Sequence, residues 1–216
     1  MTQEIKILLG IGIATLLIMA GGIFFLSKDQ ASVPEVKPVD MNLLIRENSH
    51  QTSSESAKVT LVEFGDYQCP ACSIAHFAVK KIINDYPGRV NFVSRQYPLP
   101  QHSNAMIAAE VAEAAGDQGK FWKMHDKLYE NQDKWSGSSN ALDIFIGYAK
   151  DLGLDVEKFK QDVNSKKFED RINQDKNDGN TLGINATPTF FINGKRLTQP
   201  PTYDNLKSSI NTALKE

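Results

Sequence analysis

Cysteine is almost missing from this chain, with two in 216 residues. That excludes the disulfide framework by which small secreted domains are stapled. It also excludes a four-thiolate zinc centre. Histidine is scarce too, and none of His50, His76, His102 and His125 stands in paired ligand spacing with the cysteines. His76 comes four residues after Cys72, but a structural zinc site needs four ligands. No metal and no cofactor is expected. An excess of one charge is also lacking. The 24 basic and 26 acidic residues leave a net charge of -2, which gives no electrostatic case for nucleic acid. No internal repeat or low-complexity block is apparent. Hydrophobic residues make up 41% of the chain, so a chain of this length buries a core without help from disulfides.

Charge is absent from the run Ile7 to Ser27, which is mostly Ile, Leu, Gly and Phe. About 20 helical residues rise ~30 Å, the hydrocarbon thickness of a bilayer. Lys6 and Lys28 flank the run, one on each side, so positive charge gives no orientation. A cleaved signal peptide is the competing reading. Its apolar core is shorter than this run, and Leu26-Ser27-Lys28 is a poor cleavage site. Residues 1–28 are therefore expected to form an N-terminal transmembrane anchor. Residues 29–56, with Pro34 and Pro38, are expected to form a tether and an irregular lead-in to an exported domain. Within them, Met41 to Ile45 reads as a short strand or irregular stretch, and His50 to Ser56 as a polar loop.

The two cysteines stand three apart, just beyond a β-type run at Val59 to Phe64. Ser73 to Ile83 reads as a helix and Val90 to Tyr97 as a second strand, so the order predicts a parallel β-α-β unit. A Cys-x-x-Cys pair closes too short a loop to constrain the unfolded chain, which makes it chemical rather than structural. Cys69 at a helix N-terminus faces unpaired N–H groups and the positive end of the dipole. These favour the thiolate, the attacking species. Cys69 is predicted to be the exposed nucleophile. Pro70 suits the first helical turn, and Cys72, one turn in, is predicted to be the buried resolving thiol. Glu63 interrupts the apolar strand. It reads either as a solvated carboxylate or as a buried acid that exchanges protons with Cys72.

From Ser103 to about Asn180 the pattern is helical. Phe121, Met124, His125, Leu128 and Tyr129 share one apolar face, and His125 on it reads as a packed core residue. Asn173 to Gly179 is acidic, but an EF-hand loop needs glycine sixth and a carboxylate twelfth. Counted from Asn173 these positions are Asp178 and Ile184, so the segment reads as a helix end near Gly179. After Thr187-Pro188, Thr189 to Ile192 is a strand run, and Asn193-Gly194 signals a hairpin into Lys195-Arg196-Leu197. Tyr203 to Leu214 closes as an amphipathic helix.

Strand, Cys69-Pro70-Ala71-Cys72, helix, strand, helical block, Ala186-Thr187-Pro188-Thr189, hairpin and helix resembles the DsbA-like thiol:disulfide oxidoreductases of the thioredoxin superfamily. The likeness runs from about Leu43 to Lys215 and includes Asp117 to Trp122. It implies an α/β thioredoxin-like fold over residues 57–102 and 181–216, with a helical insertion at 103–180. It also implies a cis Pro188, a Thr187 backbone that pairs with an extended substrate peptide, and Glu63 as the buried acid. Many relatives have histidine where this chain has Ala71, which implies a less extreme but still oxidising dithiol. The expected function is donation of the Cys69–Cys72 disulfide to reduced exported proteins. A membrane enzyme would reoxidise the pair. The domain is expected to be monomeric, on the extracytoplasmic side of the cell membrane. Two other readings stay open, a membrane-anchored reductase or isomerase and a non-catalytic tethered peptide-binding module.

Overall fold

The computed structural model of the chain describes residues 39–52 and 57–215, with isolated positions 2, 3, 15, 19 and 21. It divides into two compact units, Met1–Val36 and Lys37–Glu216. All but Thr15, Met19 and Gly21 of the charge-free run Ile7 to Ser27 lies outside the described residues, and so does most of the tether. Among the described residues no helix is long and apolar enough to cross a membrane.

The second unit is built on a five-stranded sheet. Its strands are β1 (His50–Gln51), β2 (Val59–Gly65), β3 (Val90–Gln96), β4 (Thr189–Ile192) and β5 (Lys195–Arg196), in the spatial order β1-β3-β2-β4-β5. Strands β2 and β3 are parallel, joined through helix α2 (Pro70–Asp85), and all other pairs are antiparallel. The predicted β-α-β unit is thus present, with the chain returning to the other side of β2 only at β4.

Alternation along β2 sends side chains to two covered faces. Val59 and Leu61 pack with Val79 and Ile82 of α2 and with Leu206 and Ile210 of the last helix, Tyr203–Ala213. Val62 and Phe64 pack on the opposite face with Leu44, Val93, Tyr97 and Phe191. Six helices fill the stretch between β3 and β4. They are α3 (Ala105–Gly116), α4 (Phe121–Glu130), α5 (Gln132–Trp135), α6 (Ala141–Asp151), α7 (Val156–Asn164) and α8 (Glu169–Thr181). The first five of these surround a core of Ala112, Met124, Leu128, Trp135, Phe145 and Phe159, and Cys69 and Cys72 belong to the same cluster. The dithiol therefore lies where the insertion closes on the sheet.

Three local expectations are corrected. Helix α1 (Met41–Leu44) is short, started by the Asp40 side chain accepting from Asn42 N–H, and Leu44 is buried beneath the sheet. His50–Gln51 is a strand because its backbone finds Ser94 and Val93 on the free edge of β3. Helix α8 runs through Gly179 to Thr181 rather than stopping there. A side chain at 179 would meet the Tyr97 ring at 2.7 Å, so this glycine permits a close approach and the chain turns at Gly183, where φ is +69°. The acidic residues of the same segment have protein partners. Buried Arg95 donates to Asp175 at 2.8 Å and to Asp178 at 2.6 Å, pinning α8 to β3.

Candidate active site

Cys69 is the N-cap of α2, with Pro70 in the first turn. Its sulfur lies 3.4 Å from the Thr187 carbonyl oxygen. The Thr187-Pro188 peptide is cis, and β4 begins at the next residue. The structure thus brings Cys69, Cys72, Thr187 and Pro188 together from two distant parts of the chain. The expected exposure of Cys69 is corrected, since only 7% of the residue is open to solvent. The loop carrying Thr187 covers it, so access is narrow. Cys72 is completely buried.

The two thiols are electrically unlike. The Cys69 pKa is lowered to about 5, chiefly by a hydrogen bond from the Cys72 thiol; burial opposes this, and the Thr187 side chain and the N–H groups of Cys72 and Ala71 lower it further. The two N–H groups are the share that the helix N-terminus contributes to the thiolate. Cys72 is pushed well above an ordinary thiol by burial, by its bond to Cys69 and by the nearby charge of Glu63. Thr187 Oγ1 is buried and has no hydrogen-bond partner beside the neutral thiol. It is a donor in waiting for the thiolate.

Glu63 pairs with Ser94 on one side and Phe190 on the other. At 3% exposure it is buried and is not a solvated carboxylate. Burial, with a smaller push from Cys69, raises its pKa to about 8, and one carboxylate oxygen has no partner. The group is therefore protonated at neutral pH and responds to the charge on the thiols. Gly65 leaves room beside it. A side chain at 65 would stand 2.9 Å from the Tyr129 hydroxyl and 3.1 Å from Glu63 Oε1.

Two positioning residues escaped the sequence reading. Asp66 is buried and accepts from Gln68 N–H at 2.7 Å, Leu99 N–H at 2.9 Å and the His102 ring at 2.7 Å, while its carbonyl accepts from Cys69 N–H. Gln132 reaches from the insertion and donates to the carbonyls of Tyr67 at 2.7 Å and Cys69 at 2.9 Å. These bonds hold the turn before α2 on both sides. Asp66 immediately precedes the Tyr67-Gln68-Cys69 approach and was open to notice. Gln132 carries no local signal.

A sequence profile described as Thioredoxin matches residues 46–212. The chain belongs to the thioredoxin family. Among solved members of similar fold, a thioredoxin-like oxidoreductase from Silicibacter pomeroyi is 26% identical with a TM-score of 0.69, over 82% of this chain and 99% of its own. BdbD from Bacillus subtilis is also 26% identical, with a TM-score of 0.72, over 84% of this chain and 98% of its own. The likeness to DsbA-like oxidoreductases drawn from the motifs therefore holds for the whole family domain. Curated relatives are named differently. A segment of the Na(+)/H(+) antiporter NhaA 1 of Salinispora arenicola is 39% identical over 151 residues, covering 69% of this chain and 22% of that protein. The namesake from Mycolicibacterium gilvum is 38% identical over 87% of this chain and 30% of its own length. The chain thus spans about a quarter of these relatives, and their antiporter name describes the longer proteins. Thioredoxin-like fold and DsbA-like neighbours together support thiol–disulfide chemistry.

Proposed function

We propose that this protein is an extracytoplasmic dithiol oxidase that donates the Cys69–Cys72 disulfide to reduced exported proteins. The observation that carries the reading is the asymmetry of the pair, a stabilised thiolate at Cys69 one turn from a buried, high-pKa thiol at Cys72. A substrate thiolate attacks Cys69 Sγ, forming the mixed disulfide and breaking the Cys69–Cys72 bond. Cys72 leaves as a thiolate and takes the proton that Glu63 carries at neutral pH, and solvent later restores it. A second substrate thiolate attacks the substrate's own sulfur and expels Cys69. That leaving group is favourable because its thiolate is the stabilised one. Two substrate thiols become one disulfide; the protein gains two electrons and the one proton that Cys72 carries, Cys69 stays a thiolate at neutral pH, and the second proton goes to solvent. Thr187 and Pro188 stand beside Cys69, where the Thr187 backbone pairs with an extended peptide by strand addition.

Residues 1–28 anchor this unit to the cell membrane as a single span, and a membrane enzyme removes the electrons. The charge-free run and the need to avoid cytosolic reduction support this placement. The test follows the free thiols of a reduced, unfolded multi-cysteine protein mixed with the oxidised chain. Stoichiometric loss of substrate thiol, abolished by Cys69→Ser, is expected. Equal loss with that variant would refute the reading.

A further inference from the structure

We infer that His76, His125 and Asp126 form a binding site for a divalent first-row metal ion such as Zn2+, separate from the dithiol. His76 stands on α2 and the other two on α4, so the site bridges the dithiol helix and the insertion. One ligand atom from each lies within 4.8 Å of the others. Both histidines are buried, with exposures of 3% and 4%. They border a cavity of about 190 Å³ walled by Val79, Phe92 and Trp122, with Asp126 at its edge.

The side-chain chemistry favours a cation there. His76 Nε2 is buried and makes no hydrogen bond, although Asp126 Oδ1 is 3.7 Å away and Glu130 Oε1 3.9 Å. A buried polar atom without a partner is costly, and a metal ion supplies the partner. His125 Nδ1 sits 3.0 Å from the Tyr67 hydroxyl. Donated to that oxygen, its N–H leaves Nε2 bare, the outer-sphere pattern that fixes a metal-binding histidine. Two imidazoles and a carboxylate suit Zn2+ and its first-row neighbours, with Glu130 or water in a fourth position. Ligand atoms around Zn2+ lie about 3.4 Å apart in a tetrahedron, so the cluster must tighten. Asp126 and Glu130, each about two-fifths exposed, have the freedom to do so.

A cation already occupies the acidic rim. Lys80 Nζ lies 2.9 Å from Asp126 and 2.6 Å from Glu130. Its side chain is 43% exposed, so it can move into solvent and give up both carboxylates. Lys80 thus competes with a metal ion for Asp126 and Glu130.

The test uses the full, untagged chain with its dithiol oxidised, so that no thiolate is available as a ligand. Zn2+ is titrated in competition with a chromophoric chelator, and Co2+ is added as a spectroscopic probe. One Zn2+ per chain is expected, with Co2+ bands free of thiolate charge transfer. Asp126→Asn should weaken Zn2+ by about tenfold or more, and Lys80→Met should tighten it. Both change half-exposed side chains, and unchanged melting curves verify that each folds. No stoichiometric binding to the oxidised chain would overturn the proposal. So would equal affinity in Asp126→Asn and the unaltered protein, the result expected of adventitious surface binding.

Discussion

Thr187→Val removes the side-chain hydroxyl that lowers the Cys69 pKa and keeps its shape. The Thr187 hydroxyl is buried and idle beside the neutral thiol, and it is the second of the groups that hold the Cys69 pKa at about 5. A hydrogen bond to a charged partner contributes roughly 1.5–3 kcal/mol, and each tenfold step in acidity corresponds to about 1.4 kcal/mol. Taking ~2 kcal/mol, the substitution should raise the Cys69 pKa by about 1.5, to between 6 and 7. At pH 7 the reduced form then loses nearly all of that thiolate stabilisation. Since about 1.4 kcal/mol equals ~30 mV for this two-electron couple, the potential should fall by about 40 mV. The assay pairs a titration of the ultraviolet absorbance of the thiolate with equilibration against glutathione at pH 7. An unchanged pKa with an unchanged potential would refute the argument, and a rise in potential would reverse its sign.

Glu63→Gln should slow thiol–disulfide exchange by about 10²-fold in stopped-flow measurements by removing the proton exchanged with Cys72. It should also change the pH dependence of stability. A carboxyl raised to about 8 in the fold binds more protons folded than unfolded. The native protein therefore loses stability as pH rises from the ordinary carboxylate range through 8, and the glutamine variant, compared by denaturant titration, should not. Ala71→His should raise the potential in glutathione equilibration by adding a positive group beside the Cys69 thiolate; no change or a fall would sink that reading of Ala71. Asp175→Ala should cost about 3 kcal/mol or more in urea unfolding, because it leaves the fully buried Arg95 short of a partner.

The dithiol, its helix and the strand before it were legible because they are contiguous and their chemistry depends on spacing. Pro188 was legible only through the likeness of motifs, since nothing local to Thr187 reveals that Cys69 lies 3.4 Å away. Glu63 was ambiguous for a physical reason. Its burial depends on β4 pairing with β2 after the whole insertion has intervened. Gly179 looked like a helix end because glycine has two uses, and the Tyr97 ring that requires it comes from β3's far end. His76 and His125 carried no metal-ligand spacing, and only the packing of α2 on α4 brings them together. Local pattern therefore told what the dithiol is, and tertiary contact told what tunes it.

The reduction potential of the dithiol tests the central claim most directly. Equilibrating the full chain with glutathione buffers at pH 7 and counting the reduced fraction gives it in one series. The account predicts an oxidising couple, closer to about -120 mV than to about -270 mV. A value near -270 mV would mean that the Cys69 thiolate is not stabilised as described and that the protein works as a reductant.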